Sequence, residues 1–228
     1  MKSYTRVFLN ALMLLIVPVA WSRMLLDLTG GDVRFLGLSS LRMFTILSNL
    51  LEAAACGCFL RAVASPPGSI LSRFAVRIKY TALVTVTLTF LVTAGFLGPV
   101  FGYRKMFSGV SFWLHLVVPV IAIVEWFCFE KTRLSAWDNL VAVMPISLYG
   151  IYYLGNILIN GVGSKARTND WYGFFRWGIP IGVCILLGLL VIAFLLGLLY
   201  RKVQPRRWIQ DRKKASPEEN ESREVFHE

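Results

Sequence analysis

The sequence predicts an all-α polytopic membrane protein, six transmembrane helices in one bundle with both termini cytoplasmic. Three observations carry this reading. Of 228 residues, 56% are hydrophobic and only 16% charged, with a mean hydropathy of +0.61. A soluble domain of this length cannot hide so much apolar surface, because its outer shell has to stay polar. The apolar residues also fall in runs about as long as the ~20 residues a membrane-crossing helix needs. Finally, Lys and Arg are unevenly divided between the two sides those runs define.

The runs place spans at 7–25, 41–61, 79–99, 111–129, 138–160 and 176–200. The first follows Lys2 and Arg6 and has the outline of a signal-peptide core. However, "PVAWSRMLL" offers no small-x-small cleavage site and the apolar character continues past it, so it is read as a span. The second, within "LRMFTILSNLLEAAA", carries a polar stripe. The third, "KYTALVTVTLTFLVTAGFLG", is rich in threonine, and the sixth, "WGIPIGVCILLGLLVIAFLLGLLYRK", is the most uniformly apolar. An even number of spans puts both termini on one side. Sixteen Lys and Arg fall on that side, Lys79 among them, against eight opposite, which makes the terminal side cytoplasmic. Eight of the sixteen lie in the tail from Arg201 onward, and without them the count is a tie.

The Pro/Gly/Ser-rich segment 62–78 is the expected cytoplasmic loop, and 161–175 is the most polar loop opposite. Residues 1–200 thus form one transmembrane domain. Residues 201–228 form a tail, basic and then acidic after Ser216, and expected to be partly disordered. Its basic part, with Trp208, suits an anionic lipid surface. The net charge of +11 does not point to nucleic acid, since no soluble domain is present to bind it. No P-loop or dinucleotide fingerprint occurs, and no internal repeat supports an inverted-repeat transporter. Cys56, Cys58, Cys128 and Cys184 all fall within spans, and Cys56-x-Cys58 has the wrong spacing for a zinc pair. No cofactor and no metal are expected.

The informative residues are the polar ones inside spans. Thr45, Asn49 and Glu52 are separated by four and three, so they share one helical face, with Ser48 adjacent. His115 is the one histidine outside the tail. Thr45 and His115 each stand about four residues into spans that run the same way, so both lie ~6 Å below the outer mouth. Tyr149, Tyr153, Asn156 and Asn160 share a face of the fifth span, whose outer half would bring the two asparagines to the same level. An imidazole can take the proton of a threonine hydroxyl as that hydroxyl attacks, and an Asn amide can donate to a developing oxyanion. Glu52, two turns deeper, would orient the network or stay protonated. The bland reading is helix glue: intramembrane Thr bonds back to its own helix, as the span-three residues Thr81, Thr85, Thr87, Thr89 and Thr93 would, and Glu125 snorkels to the inner surface.

The stretches "FTILSNLL" (44–51), "LHLVVPVIAIVEW" (114–126) and, more weakly, "DWYGFF" (170–175) give the chain a likeness to a known family. Over most of residues 1–200 it resembles the androgen-induced-protein family of multispan membrane hydrolases, and more closely that family's bacterial six-span relatives. The resemblance implies hydrolysis of fatty acid esters of hydroxy fatty acids, with Thr45 as nucleophile and His115 as general base. Ser48, Asn49, Glu52, Tyr153, Asn156 and Asn160 would then bind substrate or support the pair. One departure is that "WYGFFRWG" lacks the proline of the family's run after span five.

Two rival classes remain. One is a non-catalytic lipid- or small-molecule-binding protein or transporter using the same pocket; the other is a purely structural polar stripe. The expected partners are membrane lipids and a lipid ester. The expected location is a bacterial inner membrane, with the endoplasmic reticulum as the alternative. Gly182 and Gly188 suit close helix packing within or between chains.

Overall fold

The computed structural model describes residues 2–26, 28, 37–66, 69–163 and 169–215. Arg34, Lys165, Arg167 and the acidic end of the tail lie outside them. Among the described residues every regular element is a helix, with no strand. We number the helices α1 (Lys2–Leu25), α2 (Phe44–Val63), α3 (Ile70–Phe101), α4 (Tyr103–Met106), α5 (Gly109–Phe129), α6 (Ala136–Asn160) and α7 (Ile179–Ala215). All but α4 are long and apolar enough to cross a membrane, which gives the six-helix integral membrane bundle expected from hydropathy. The centre is α3, which packs against α2, α5, α6 and α7.

Local sequence explains the helix limits. Ser69 caps α3 by accepting a hydrogen bond from the Ser72 amide at 3.2 Å. At α6, Ser135 Oγ accepts from the Asp138 amide while Asp138 returns a bond to the Ser135 amide at 2.7 Å. This reciprocal box satisfies two donors that a helix start otherwise leaves free. Two helices widen into π-turns, at Thr93–Leu97 of α3 and Trp113–Val117 of α5. Each is followed within two residues by a proline, Pro99 or Pro119. A proline cannot donate to the carbonyl four residues back, so the ladder must be interrupted there. The second π-turn carries His115.

Two expectations about the ends need correction. The third helix begins at Ile70, nine residues before the expected span, so most of segment 62–78 is helix rather than loop. Lys79 therefore stands inside the bundle, 2% exposed, and is no surface charge. Glu125 does not snorkel either: it is fully buried and paired with Arg6 at 2.6 Å. The last helix continues through the basic part of the tail to Ala215. All four cysteines are free thiols.

Candidate active site

At the end of the bundle away from the termini, α2 begins at Phe44, and Thr45 is its second residue. Thr45 Oγ1 lies 3.2 Å from His115 Nε2. The other imidazole nitrogen, Nδ1, lies 2.9 Å from the carbonyl oxygen of Met106, at the end of α4. A carbonyl only accepts, so Nδ1 carries the proton and Nε2 presents its lone pair to the threonine hydroxyl. The tautomer is thus set by a backbone group that has no alternative role. Both side chains are buried, Thr45 to 4% exposure and His115 to 5%.

Asn49, one turn along α2, fixes the spacing. Its Nδ2 donates to the Thr45 carbonyl at 2.7 Å and to the Leu114 carbonyl at 3.1 Å, so it ties α2 to the π-turn of α5 beside the histidine. Its amide donors are therefore used for positioning rather than turned toward a reacting oxygen. Ser48 bonds to the Thr45 carbonyl and to Thr89 of α3 at 3.0 Å, a further brace.

Thr45 is among the walls of a cavity of about 220 Å³, lined chiefly by apolar side chains of α3, α6 and α7. Ile151 of α6 and Leu187 of α7 are among its walls and are exposed, so the cavity reaches the lipid-facing surface between these two helices. Its few polar walls include Thr45, Tyr172 and Thr93. Thr81, Thr85 and Thr89 bond back to carbonyls of their own helix, as expected of membrane threonines. Thr93, in the π-turn, is fully buried and its hydroxyl has no partner.

Tyr172 was not singled out by spacing, since it lies in the connection before α7, where no periodicity operates. Its hydroxyl accepts a 2.6 Å bond from the Phe44 amide and interacts with the side chains of Tyr149 and Thr45. Burial pushes the phenol above its ordinary value despite these hydrogen bonds, so it stays protonated beside Thr45. Asp170 holds the segment in place. It accepts from the Tyr153 hydroxyl at 2.5 Å and from the Phe175 amide at 3.1 Å, and Trp171, Tyr172, Phe174 and Phe175 are all buried around it. Gly173 turns the chain with a φ of 73°, a left-handed conformation that suits a residue without Cβ.

The remaining expected residues lie elsewhere. Asn156 donates to the Asn169 carbonyl at 3.2 Å, and Asn160 donates to Asn156. They fasten the loop before α7 and are not among the walls of the cavity, because the last turn of α6 packs against that loop. Tyr153 supports the same segment through Asp170. Glu52, two turns along α2 from Thr45, is bonded to Lys79, whose Nζ lies 2.6 Å from Oε1. Among the described residues, no three or more His, Cys, Asp and Glu side chains gather as a metal centre would require. No protein-family model, curated protein or solved structure matches the chain.

Proposed function

We propose that this is an intramembrane hydrolase of lipid esters that uses Thr45 as nucleophile and His115 as general base. The observation that carries the reading is the Thr45–His115 hydrogen bond, with the imidazole tautomer set by Met106 and Thr45 in the wall of an apolar cavity. An acyl chain entering between α6 and α7 would lie along the cavity with its ester carbonyl at Thr45. As Oγ1 attacks, its proton passes to Nε2 of His115, and the resulting imidazolium stays bonded to the Met106 carbonyl. The carbonyl oxygen gains negative charge at the start of α2, where the helix dipole favours an anion. The Tyr172 phenol, which interacts with the Thr45 side chain, is a further donor for that oxygen. Collapse transfers the proton from Nε2 to the leaving alkoxide and leaves an acyl-threonine. Water then attacks by the same route in reverse, giving the fatty acid and free Thr45.

The likeness to androgen-induced-protein hydrolases supports the same pair and suggests fatty acid esters of hydroxy fatty acids as substrates. We place the termini in the cytoplasm, and Thr45 near the outer leaflet, on the distribution of basic residues; the likeness to the bacterial relatives favours a bacterial inner membrane over the endoplasmic reticulum. The test uses detergent-purified protein with a fluorophosphonate probe and branched fatty acyl esters. Thr45→Ala and His115→Ala should each reduce turnover by at least about a hundredfold, the lower range for losing an acid–base partner. Label on Thr45 should vanish in both. Turnover at the wild-type rate in a folded Thr45→Ala variant would end this proposal. A second reading, a lipid- or small-molecule-binding protein or transporter, draws on the apolar walls of the same cavity and predicts saturable binding of an acyl chain with no product.

A further inference from the structure

Six side chains in the wall of the cavity carry a hydroxyl, and five of those hydroxyls are already bonded. Thr45 meets His115, and Thr89 meets Ser48 and the Thr85 carbonyl. Ser147 donates to the Val143 carbonyl, Tyr149 donates to the Arg42 carbonyl, and Tyr172 accepts from the Phe44 amide. Thr93 is the exception: it is fully buried, and its Oγ1 has no hydrogen-bond partner. This is not the usual state of a threonine in a membrane helix. One turn earlier in α3, Thr89 satisfies itself on a carbonyl of its own helix at 3.0 Å. A hydroxyl buried without a partner is costly, and an occupant of the cavity that bonds to it offsets that cost.

The register of α2 and α3 puts this hydroxyl level with Thr45. Glu52 bonds to Lys79 and Ser48 to Thr89, so residue number falls along α2 as it rises along α3, and the helices are antiparallel. Thr45 is three residues before Ser48, and Thr93 is four residues after Thr89. Both steps therefore run the same way from the Ser48–Thr89 contact, each by about one turn, or ~5 Å. Thr45 and Thr93 stand at one depth, on helices that touch, in the wall of one cavity. Thr93 also opens one of the two π-turns of the bundle, and His115 lies in the other. Such turns recur at functional sites.

We infer that Thr93 is a further catalytic residue, which donates its hydroxyl proton to the carbonyl oxygen of the acyl group that Thr45 attacks. The chemistry rests on the hydrolase reading, while the hydrogen bond itself needs only a carbonyl-bearing lipid in the cavity. With the Tyr172 phenol, Thr93 supplies two donors to the oxygen on which charge develops. Among the described residues no charged side chain lines the cavity, so the group recognised is an uncharged acyl carbonyl rather than a carboxylate.

The test has two readouts, both on full-length protein in detergent. The first is the infrared carbonyl band of a long-chain methyl ketone, isotope-labelled at the carbonyl, which cannot be hydrolysed. That band should move to lower frequency with wild type than in detergent alone. Thr93→Val, which exchanges the hydroxyl for a methyl of the same shape, should reverse most of the shift, and Thr93→Ser should keep it. The second readout is turnover of branched fatty acyl esters. Thr93→Val should lower kcat about a hundredfold, the lower range for losing one oxyanion donor, with little change in KM, and Thr93→Ser should restore most of it. The Tm of Thr93→Val should equal or exceed that of wild type, whereas a hydroxyl that only held helices together would lower it. Thr93→Ala serves as a second hydroxyl-free variant where Val does not fold. A ketone shift that Thr93→Val abolishes, in a wild-type protein that cleaves no ester, keeps the hydrogen bond and removes the hydrolase reading. A wild-type ketone band at its detergent position, or wild-type kcat in folded Thr93→Val, overturns the inference and leaves the roles of Thr45 and His115 standing.

Discussion

On one face of α2, Thr45 and Glu52 are two turns apart, and the bundle treats them in opposite ways. Around Thr45 the groups are neutral: a hydroxyl, an imidazole, an amide and a phenol, beside a cavity of about 220 Å³. Around Glu52 they are ionic, and neither Glu52 nor Lys79 is among the walls of that cavity. A neutral polar pair needs only its hydrogen bonds to be buried cheaply, so it can face open apolar space where a ligand arrives. Charges tolerate burial only when enclosed by partners, so that region is closed by ion pairs that link α1, α2, α3 and α5. Changes at the first region should cost chemistry, and changes at the second should cost stability.

The largest effect expected on stability comes from breaking the second region. Lys79→Met leaves Glu52 without its ammonium partner in the bundle interior, where the loss of one member of a buried pair costs about 3–5 kcal/mol. Denaturant or SDS-induced unfolding measures this. Turnover per folded molecule should stay within about twofold of wild type if the two regions are independent, because additivity holds for sites with no shared partners. A folded Lys79→Met protein that hydrolyses nothing would instead make the ionic cluster part of the catalytic site.

The two regions were also unequally legible in the sequence. Thr45 and His115 could be brought together because helical rise converts residue number into depth, and both helices run the same way. Ser48 and Asn49 followed from the same face. Lys79 could not be found, because a lysine at the edge of an apolar run reads as the end of a span; its partners, Glu52 and Glu125, lie on other helices, which periodicity does not order. Asn156 and Asn160 were on a common face as expected, but one helical position sets the direction of a side chain and not what it meets, and theirs met the loop before α7. Tyr172 had no periodic signal at all. Thr93 was one of five similar threonines, and only the π-turn ahead of Pro99 sets it apart.

A smaller effect separates chemistry from packing inside the first region. Tyr172→Phe keeps the ring buried between Tyr149 and Phe174 and removes only the hydroxyl that meets the Phe44 amide and Thr45. Turnover should fall on the order of a hundredfold if the phenol donates to the oxyanion. Stability should fall by only about 1 kcal/mol, the net value of an ordinary hydrogen bond. Steady-state kinetics with the same ester substrates, set beside unfolding, measures both. An unchanged kcat would reduce Tyr172 to a wall of the cavity.

The smallest effect tests the outer edge of the ionic region, where a pH dependence is expected. Glu130 lies just beyond the end of α5. Burial opposes its ionisation, but the Arg6 guanidinium and bonds from Thr132 outweigh that and hold the carboxyl below its ordinary value of 4.5. Its oxygens accept from Arg6 at 2.5 Å and from the Lys131 and Thr132 amides at 3.0 Å and 2.8 Å. A carboxyl whose folded value is depressed binds its proton more readily when unfolded. Its contribution to stability is therefore complete above the unfolded value and disappears as pH falls through the folded one. Arg6 is partly exposed, which limits the pair to about 1 kcal/mol. Unfolding followed from neutral pH into the acid range should show wild type losing this increment only below the ordinary carboxylate range, and Glu130→Gln should lack it at every pH. Equal acid sensitivity in the two proteins would show that Glu130 is not the source of the dependence.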